Sequence, residues 1–298
     1  MAFVKTDVNY AAEYSAALAN AYPYLSYFGA IWASPNSALY KPGMGKTMYI
    51  PSMEVSGARA VDRDTVDGVF HRNWNNALQP VTLEMDREWD TLIDPMDIVE
   101  TDDIATIANV TRVFNEMQKI PEMDAYLAAK LHSFVTTPDT TALTSANILA
   151  QWDEYLAAMT NARVNRDRVQ AYMTPDTYKL LKEAAGMTRF VDVENGFRGV
   201  DRNIAKLDGA TITEVPADIM KTSFVFTEGW VAASGAKQIN MILVDPLAVA
   251  APVKYETSIM SAPSAQSKGK YLYYERYYYG AFALNNRKKG IIVNVNAT

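Results

Sequence analysis

The sequence predicts an α+β fold on three observations. A helical signal runs over about 98–134, and alternating strand and helix follow over about 150–245. The C-terminal stretch is β in character, with Tyr271, Tyr273, Tyr274, Tyr277, Tyr278 and Tyr279 crowded into one segment. The chain has 298 residues, enough for one large or two modest cores.

The elements follow in order. The first 40 residues carry only Lys5, Asp7 and Glu13 as charges but are rich in aromatics, among them Tyr22, Tyr24 and Trp32. So uncharged a segment is unlike a solvated tail and calls for burial. It fits either a helix in the chain's own core or an arm exchanged onto a neighbour. Residues 48–55 are extended, with Pro51 pointing to an edge. Residues 81–86 alternate Val81, Leu83 and Met85 with Thr82, Glu84 and Asp86, the period of a half-buried strand. Between them lies a polar stretch, 56–79, with Arg59, Arg63 and Arg72 among its charges. It is either a projecting excursion or a plain surface loop.

Asp102 and Asp103 favour a helix start. Ile104, Ile107, Thr111, Phe114 and Met117 continue at helical spacing, and Pro121 should kink or restart the helix. A linker over 135–144 leads to a helix with Ile148, Leu149, Trp152, Tyr155, Leu156 and Met159 on one face. Val169–Met173 reads as a strand, and Thr174-Pro175-Asp176 opens a helix that should end at Gly186. Asp208-Gly209 marks a turn into 210–215, with further strands at 223–227 and 239–244. A polar turn over 285–290 precedes a strand at 291–295. The tyrosines suit a plain sheet face and also suit an interface.

The search for chemistry is mostly negative. There is no cysteine, which excludes disulfides and thiolate chemistry, and only two histidines, His71 and His132. No run of 18 apolar residues is present, and the N-terminal stretch lacks a signal-peptide pattern. The net charge is −6, so any enclosed nucleic acid is expected to meet little net attraction. Gly43-Met44-Gly45-Lys46-Thr47 resembles the end of a phosphate-binding loop, but Tyr40 stands where the first glycine belongs and β-like residues follow. Glu84, Asp86, Glu88 and Asp90 would share the solvated face of a strand. Asp94, Asp97, Asp102 and Asp103 lack calcium-loop spacing. No cofactor, metal ligand or catalytic residue is expected, which shifts weight toward assembly.

A resemblance then enters at VTLEMDREWDTLIDPMDIVET and NVTRVFNEMQKIPEMDAYLAAKL, within residues 81–131. Asp86-Arg87, Trp89 and Asp94, followed by Pro121-Glu122-Met123-Asp124-Ala125-Tyr126, resemble major capsid proteins of tailed bacteriophages. Arg168-Val169, Thr174 to Tyr178, Leu180-Leu181, Leu207-Asp208-Gly209 and Val215-Pro216 are similar to that group and in its order. The resemblance covers about 45–245. It implies the Hong Kong 97-type coat fold: an N-terminal arm (1–45), an extended loop hairpin (46–90), a peripheral domain with a long spine helix and a β sheet (91–149 and 246–298), and an axial α/β domain (150–245). It implies a non-enzymatic protein of the virion that assembles into hexamers and pentamers around double-stranded DNA. Scaffolding, portal and decoration proteins are the expected further partners, with no membrane. Subunit contacts are expected at Arg59, Arg63 and Arg72 against Glu84, Asp86 or Asp94 of a neighbour, and at Tyr22, Tyr24 and Trp32. No motif matches the Lys–Asn cross-link of some members. An encapsulin-like shell, a phage tail protein and a nucleotide-binding enzyme using Lys46 are the alternatives.

Overall fold

A computed structural model describes residues 26–36, 41–43, 46–58, 74–100, 107–184 and 204–297. The predicted helix start at Asp102 and Asp103, and the predicted stop at Gly186, lie outside them.

The arm's described part holds one helical turn, α1 (Gly29–Trp32). Phe28 and Ile31 are fully buried, with the Phe28 ring 4.3 Å from that of Tyr172. Ser34 Oγ donates to the carbonyls of Pro246 (2.7 Å) and Val249 (3.1 Å), and Asn36 Nδ2 donates to that of Leu247 (2.8 Å). Of the two readings of the arm, burial in the chain's own core holds for residues 26–36.

Strand β1 (Lys41–Pro42), β2 (Thr47–Val55) and β3 (Trp74–Thr82) form an antiparallel sheet. The β2–β3 ladder runs unbroken from Thr47 opposite Thr82 to Val55 opposite Trp74. It is therefore a long hairpin whose paired strands end at Val55 opposite Trp74. β1 reaches only Met48 and Tyr49, so Pro51 lies where β2 has an open edge. Strand β4 (Met85–Ile93) follows. The alternation at 81–86 is thus not one strand but the junction of two. Leu83, 1% exposed, packs with Met48, Ile50, Ala250 and Tyr278, and its N–H bonds the Lys46 carbonyl. Burial of that one side chain pins the corner.

Helix α2 (Pro95–Glu100) leads to the spine: α3 (Ile107–Phe114), a π-helical turn (Asn115–Lys119) and α4 (Ile120–Phe134). Pro121 has no N–H, and in a continuous α-helix its ring would press on the carbonyl four residues back. The wider turn just before it, in which the Ile120 N–H reaches the Asn115 carbonyl, takes up that misfit without ending the helix. From Ile120 to Ala128 all residues but Pro121 are buried, so the spine lies inside the molecule.

Helix α5 (Ile148–Asn161), β5 (Gln170–Met173), α6 (Pro175–Glu183), β6 (Lys206–Leu207) and β7 (Ala210–Glu214) come next. Thr174 caps α6 by accepting from the Thr177 N–H. Asp208 (φ 51°) and Gly209 (φ 92°) both take positive φ, as the two-residue turn between β6 and β7 demands. The short hairpin β8 (Phe224–Val225) and β9 (Val231–Ala232) precedes β10 (Ile239–Val244), β11 (Val249–Ala250), β12 (Val253–Ser261), β13 (Tyr271–Tyr279), β14 (Phe282–Ala283) and β15 (Ile291–Val295).

Two sheets organise these strands. The first has the order β15-β10-β5-β7-β6, with only β5 and β7 parallel. It is covered on both faces, which is why β10 reads as a continuous apolar run. Met241 and Leu243 meet α5 and α6, and Ile239, Ile242 and Val244 meet the spine and Phe28. The second has the order β12-β13-β4. Its inner face carries Tyr273, Glu275, Tyr277 and Tyr279, all buried. Strand β15 joins the first sheet and does not pair with the tyrosine strand. β13 is already flanked by β12 and β4 and has no free edge, whereas β10 offers one, and β15 takes it.

Removing the Phe28 ring, as in Phe28→Ala, should cost about 3–5 kcal/mol, as large-to-small changes at fully buried aromatics do. Urea unfolding of the purified chain measures it. A loss below about 1 kcal/mol would place the arm outside the core.

Candidate assembly surface

The chain's ionic chemistry centres on the spine, where three charged side chains sit within six residues. Lys119, 1% exposed, reaches Glu275 of β13 at 2.8 Å and lies 4.0 Å over the Tyr277 ring. Burial pulls the pKa of the Lys119 ammonium down, against the attraction of Glu275. Tyr273 donates its hydroxyl to the second oxygen of Glu275 at 2.9 Å. Glu122 accepts two bonds from Arg87 of β4, each 2.8 Å, and a third from the Tyr279 hydroxyl at 2.8 Å. Arg87 also donates to the Phe226 carbonyl at 2.6 Å, which ties the β8–β9 hairpin to the same node.

The third is Asp124, fully buried. It accepts from the Tyr27 N–H (2.8 Å), the Trp32 indole N–H (3.3 Å) and the Ser26 hydroxyl. Burial pushes its carboxyl up to about 6, against those three donors. Each ion has a partner on a different element. None is left for acid–base work, and among the described residues no group of three His, Asp or Glu could hold a metal.

The predicted contact residues fare unevenly. Trp32 is half-buried on its own chain, its ring edge-on to Tyr279 at 6.1 Å. Glu84 accepts from Lys130 (2.5 Å) and the Tyr126 hydroxyl (3.2 Å). Asp86 is held by Lys46 (2.7 Å) and Arg276 (2.8 Å), which bring its carboxyl down to about 2, the Arg276 hydrogen bond contributing most. Asp94 faces Lys270 at 3.6 Å. All three carboxylates expected to meet a neighbour's arginines thus have cations of their own chain. Tyr22, Tyr24, Arg59, Arg63, Arg72 and His71 lie outside the described residues. Lys46 opens a strand, and its ammonium is on Asp86, so it is not a phosphate-binding lysine. Glu88 and Asp90 are exposed, the solvated face the alternation implies.

The sequence reading missed the surface that stands out. Alternation along β2 and β3 puts Tyr49 and Val55 on the same hairpin face as Trp74, Leu78 and Pro80. Val55 is 69% exposed, Trp74 52% and Leu78 52%. The opposite face anchors the hairpin, with Met48, Ile50 and Val81 packed against Leu83 and Tyr278. Trp74 and Leu78 fall within the polar stretch 56–79 of the sequence. Their spacing relative to Pro80 was the available signal.

The fold is that of solved phage capsid structures. The structure resembles that of Mycobacterium phage Che8, at 16% identity and a TM-score of 0.54, covering 84% of each chain. It resembles the mature capsid of bacteriophage PhiM1 at 12% identity and TM-score 0.60, over 85% of this chain and 83% of that one. For the capsid of cyanophage P-SCSP1u the values are 13%, 0.60, 87% and 85%. No family model and no curated protein matches the sequence. The chain has the capsid fold of tailed bacteriophages, the Hong Kong 97 type.

Two outcomes follow from the spine's ions. Lys119→Met, which strands Glu275, should destabilise the chain by about 3–5 kcal/mol, and Lys119→Met/Glu275→Gln should recover part of that loss, measured by urea unfolding. Asp124 is protonated more readily folded than unfolded. Its contribution is therefore fully present below about pH 4 and declines until about pH 6, by about 3 kcal/mol. Stability measured across that window should fall, and Asp124→Asn should flatten that part of the profile.

Proposed function

We propose that this chain is the major capsid protein of a tailed bacteriophage, a structural, non-enzymatic subunit of the virion shell. The observation that carries the reading is the hairpin face of Tyr49, Val55, Trp74, Leu78 and Pro80 on a chain of this fold. Two strands fixed at their base and apolar at their exposed face are built to lie on something. In a shell of one repeated chain, that something is the adjacent copy.

The division of labour follows the expected domains. Residues 1–45 form the arm, 46–90 the hairpin, 91–149 with 246–298 the peripheral domain, and 150–245, whose sheet takes β15 from the C-terminal stretch, the axial domain meeting its copies around local symmetry axes. Head-to-tail contacts of this kind close into hexamers and pentamers when the rotation permits. Modest contacts then act together across the shell. Arg59, Arg63 and Arg72 sit toward the hairpin's far end in sequence. With Glu84, Asp86 and Asp94 paired within their own chain, apolar burial is the main attraction and those arginines tune it. Double-stranded DNA inside, a portal, a scaffolding protein and a decoration protein are the partners this role brings.

The test is electron microscopy with sedimentation of the full chain, alone and with candidate scaffold. Closed shells or closing capsomers are expected. Trp74→Glu/Leu78→Glu should leave unfolding within about 1 kcal/mol of the parent, as exposed sites do, and should abolish closure. Intact shells from that variant would refute the hairpin's role, and tubes or lone monomers from the parent chain would refute the capsid reading.

A further inference from the structure

A chain with a net charge of −6 gathers cations at one place. β5, β7 and β15 begin, and β10 ends, at the same end of the five-stranded sheet. The loop before β5 contributes Arg163, Arg166 and Arg168, and the 3-10 turn before β15 (Asn285–Gly290) contributes Arg287, Lys288 and Lys289. All six residues are exposed. The two segments meet at Asp245, whose carboxylate takes Arg168 at 3.1 Å and whose N–H donates to the Gly290 carbonyl at 2.9 Å. Lys289 also lines an open depression beside Asn161 and Ala162, at the end of α5.

The carboxylates at this end are Asp167, Asp208 and Asp245, and Asp139, which accepts from the Thr141 N–H and the Tyr155 hydroxyl, lines the same depression as Lys289. Asp245 is 5% exposed and bonded to Arg168 at 3.1 Å, and Asp208 accepts from the Trp152 indole at 3.0 Å. Arg287 is aimed by a bond to the Leu247 carbonyl at 3.0 Å, and Arg166 by one to the Thr160 hydroxyl at 2.9 Å. Among the described residues, Arg163, Lys288 and Lys289 have no carboxylate within ion-pair distance.

We infer that this end of the sheet is a polyanion-binding surface, and that its ligand is the phosphate backbone of double-stranded DNA, gripped without reading sequence. The inference rests on the proposed shell function and deepens it by assigning the DNA contact to named residues. Exposed cations without carboxylate partners, on two adjoining turns, are the electrostatic footprint of backbone contact. Phosphate contacts fix position and carry no sequence information, and that is all a container needs. The rival occupant is the acidic face of β4 on a second copy, where Glu88 and Asp90 are exposed, and shell closure in the test tells the two apart.

The experiment measures binding of a labelled random-sequence DNA duplex to the full chain by fluorescence anisotropy, from about 50 to 200 mM salt. Lys288→Gln/Lys289→Gln should weaken binding about ten-fold or more and lower the salt slope by about 2. Lys179→Gln/Lys268→Gln removes the same charge from other exposed sites and should do neither. Equal losses in both variants, or no binding by the parent chain at low salt, would overturn the assignment. So would unchanged binding accompanied by failed shell closure, which marks a contact between copies. A drop in thermal stability alone would mark cations that merely answer the C-terminal dipole of α5. Microscopy of the same samples separates the two levels: shells that do not bind DNA defeat this inference alone, and a parent chain that never assembles defeats the function beneath it.

Discussion

The structure depends on keeping one charged helix in an apolar interior. Lys119, Glu122 and Asp124 lie within two turns of the spine, and each is buried. A buried charge without a partner costs several kcal/mol, so each must be answered. The answers come from three directions: Glu275 on β13, Arg87 on β4, and the Ser26–Trp32 segment. Meeting all three demands at once fixes how the arm, the hairpin base and the tyrosine sheet sit around the helix. Arg87 extends the constraint to the β8–β9 hairpin through the Phe226 carbonyl.

This arrangement separates holding from assembling. The strong electrostatics are spent inward, where low polarity makes them costly to break. What faces outward is apolar on the β2–β3 hairpin and basic at one end of the five-stranded sheet. The proposed shell role would use this division, because its contacts must form, and adjust their angle, many times over without disturbing the fold. Apolar area is non-directional and tolerates small rotations, and backbone phosphate contacts tolerate any sequence.

Much of the element order was legible. The polar–apolar period located α5, the Thr174 cap located α6, and Asp208-Gly209 located the β6–β7 turn, because each is decided by neighbours a few residues away. Where the reading failed, the deciding contact lay far along the chain. Val81–Asp86 looked like one strand until burial of Leu83 against Ala250 and Tyr278 bent it. Glu84, Asp86 and Asp94 looked available until Lys130, Lys46, Arg276 and Lys270 were brought to them. The basic cluster was invisible because its two halves are more than a hundred residues apart and each, alone, is an ordinary polar turn.

By itself, then, the sequence determined the α+β class, most of the helices and strands, and the lack of cysteine chemistry. The Pro-Glu-Met-Asp-Ala-Tyr segment pointed to the coat fold. Tertiary structure decided which edge β15 would take, since β13 had none free and β10 had one. It decided which charges cancel inside the chain and which remain for a partner. Local pattern sets the conformation of a segment, because backbone preferences act over a few residues. Pairing of edges and of charges is settled only when the whole core closes, because it depends on what is left unpaired.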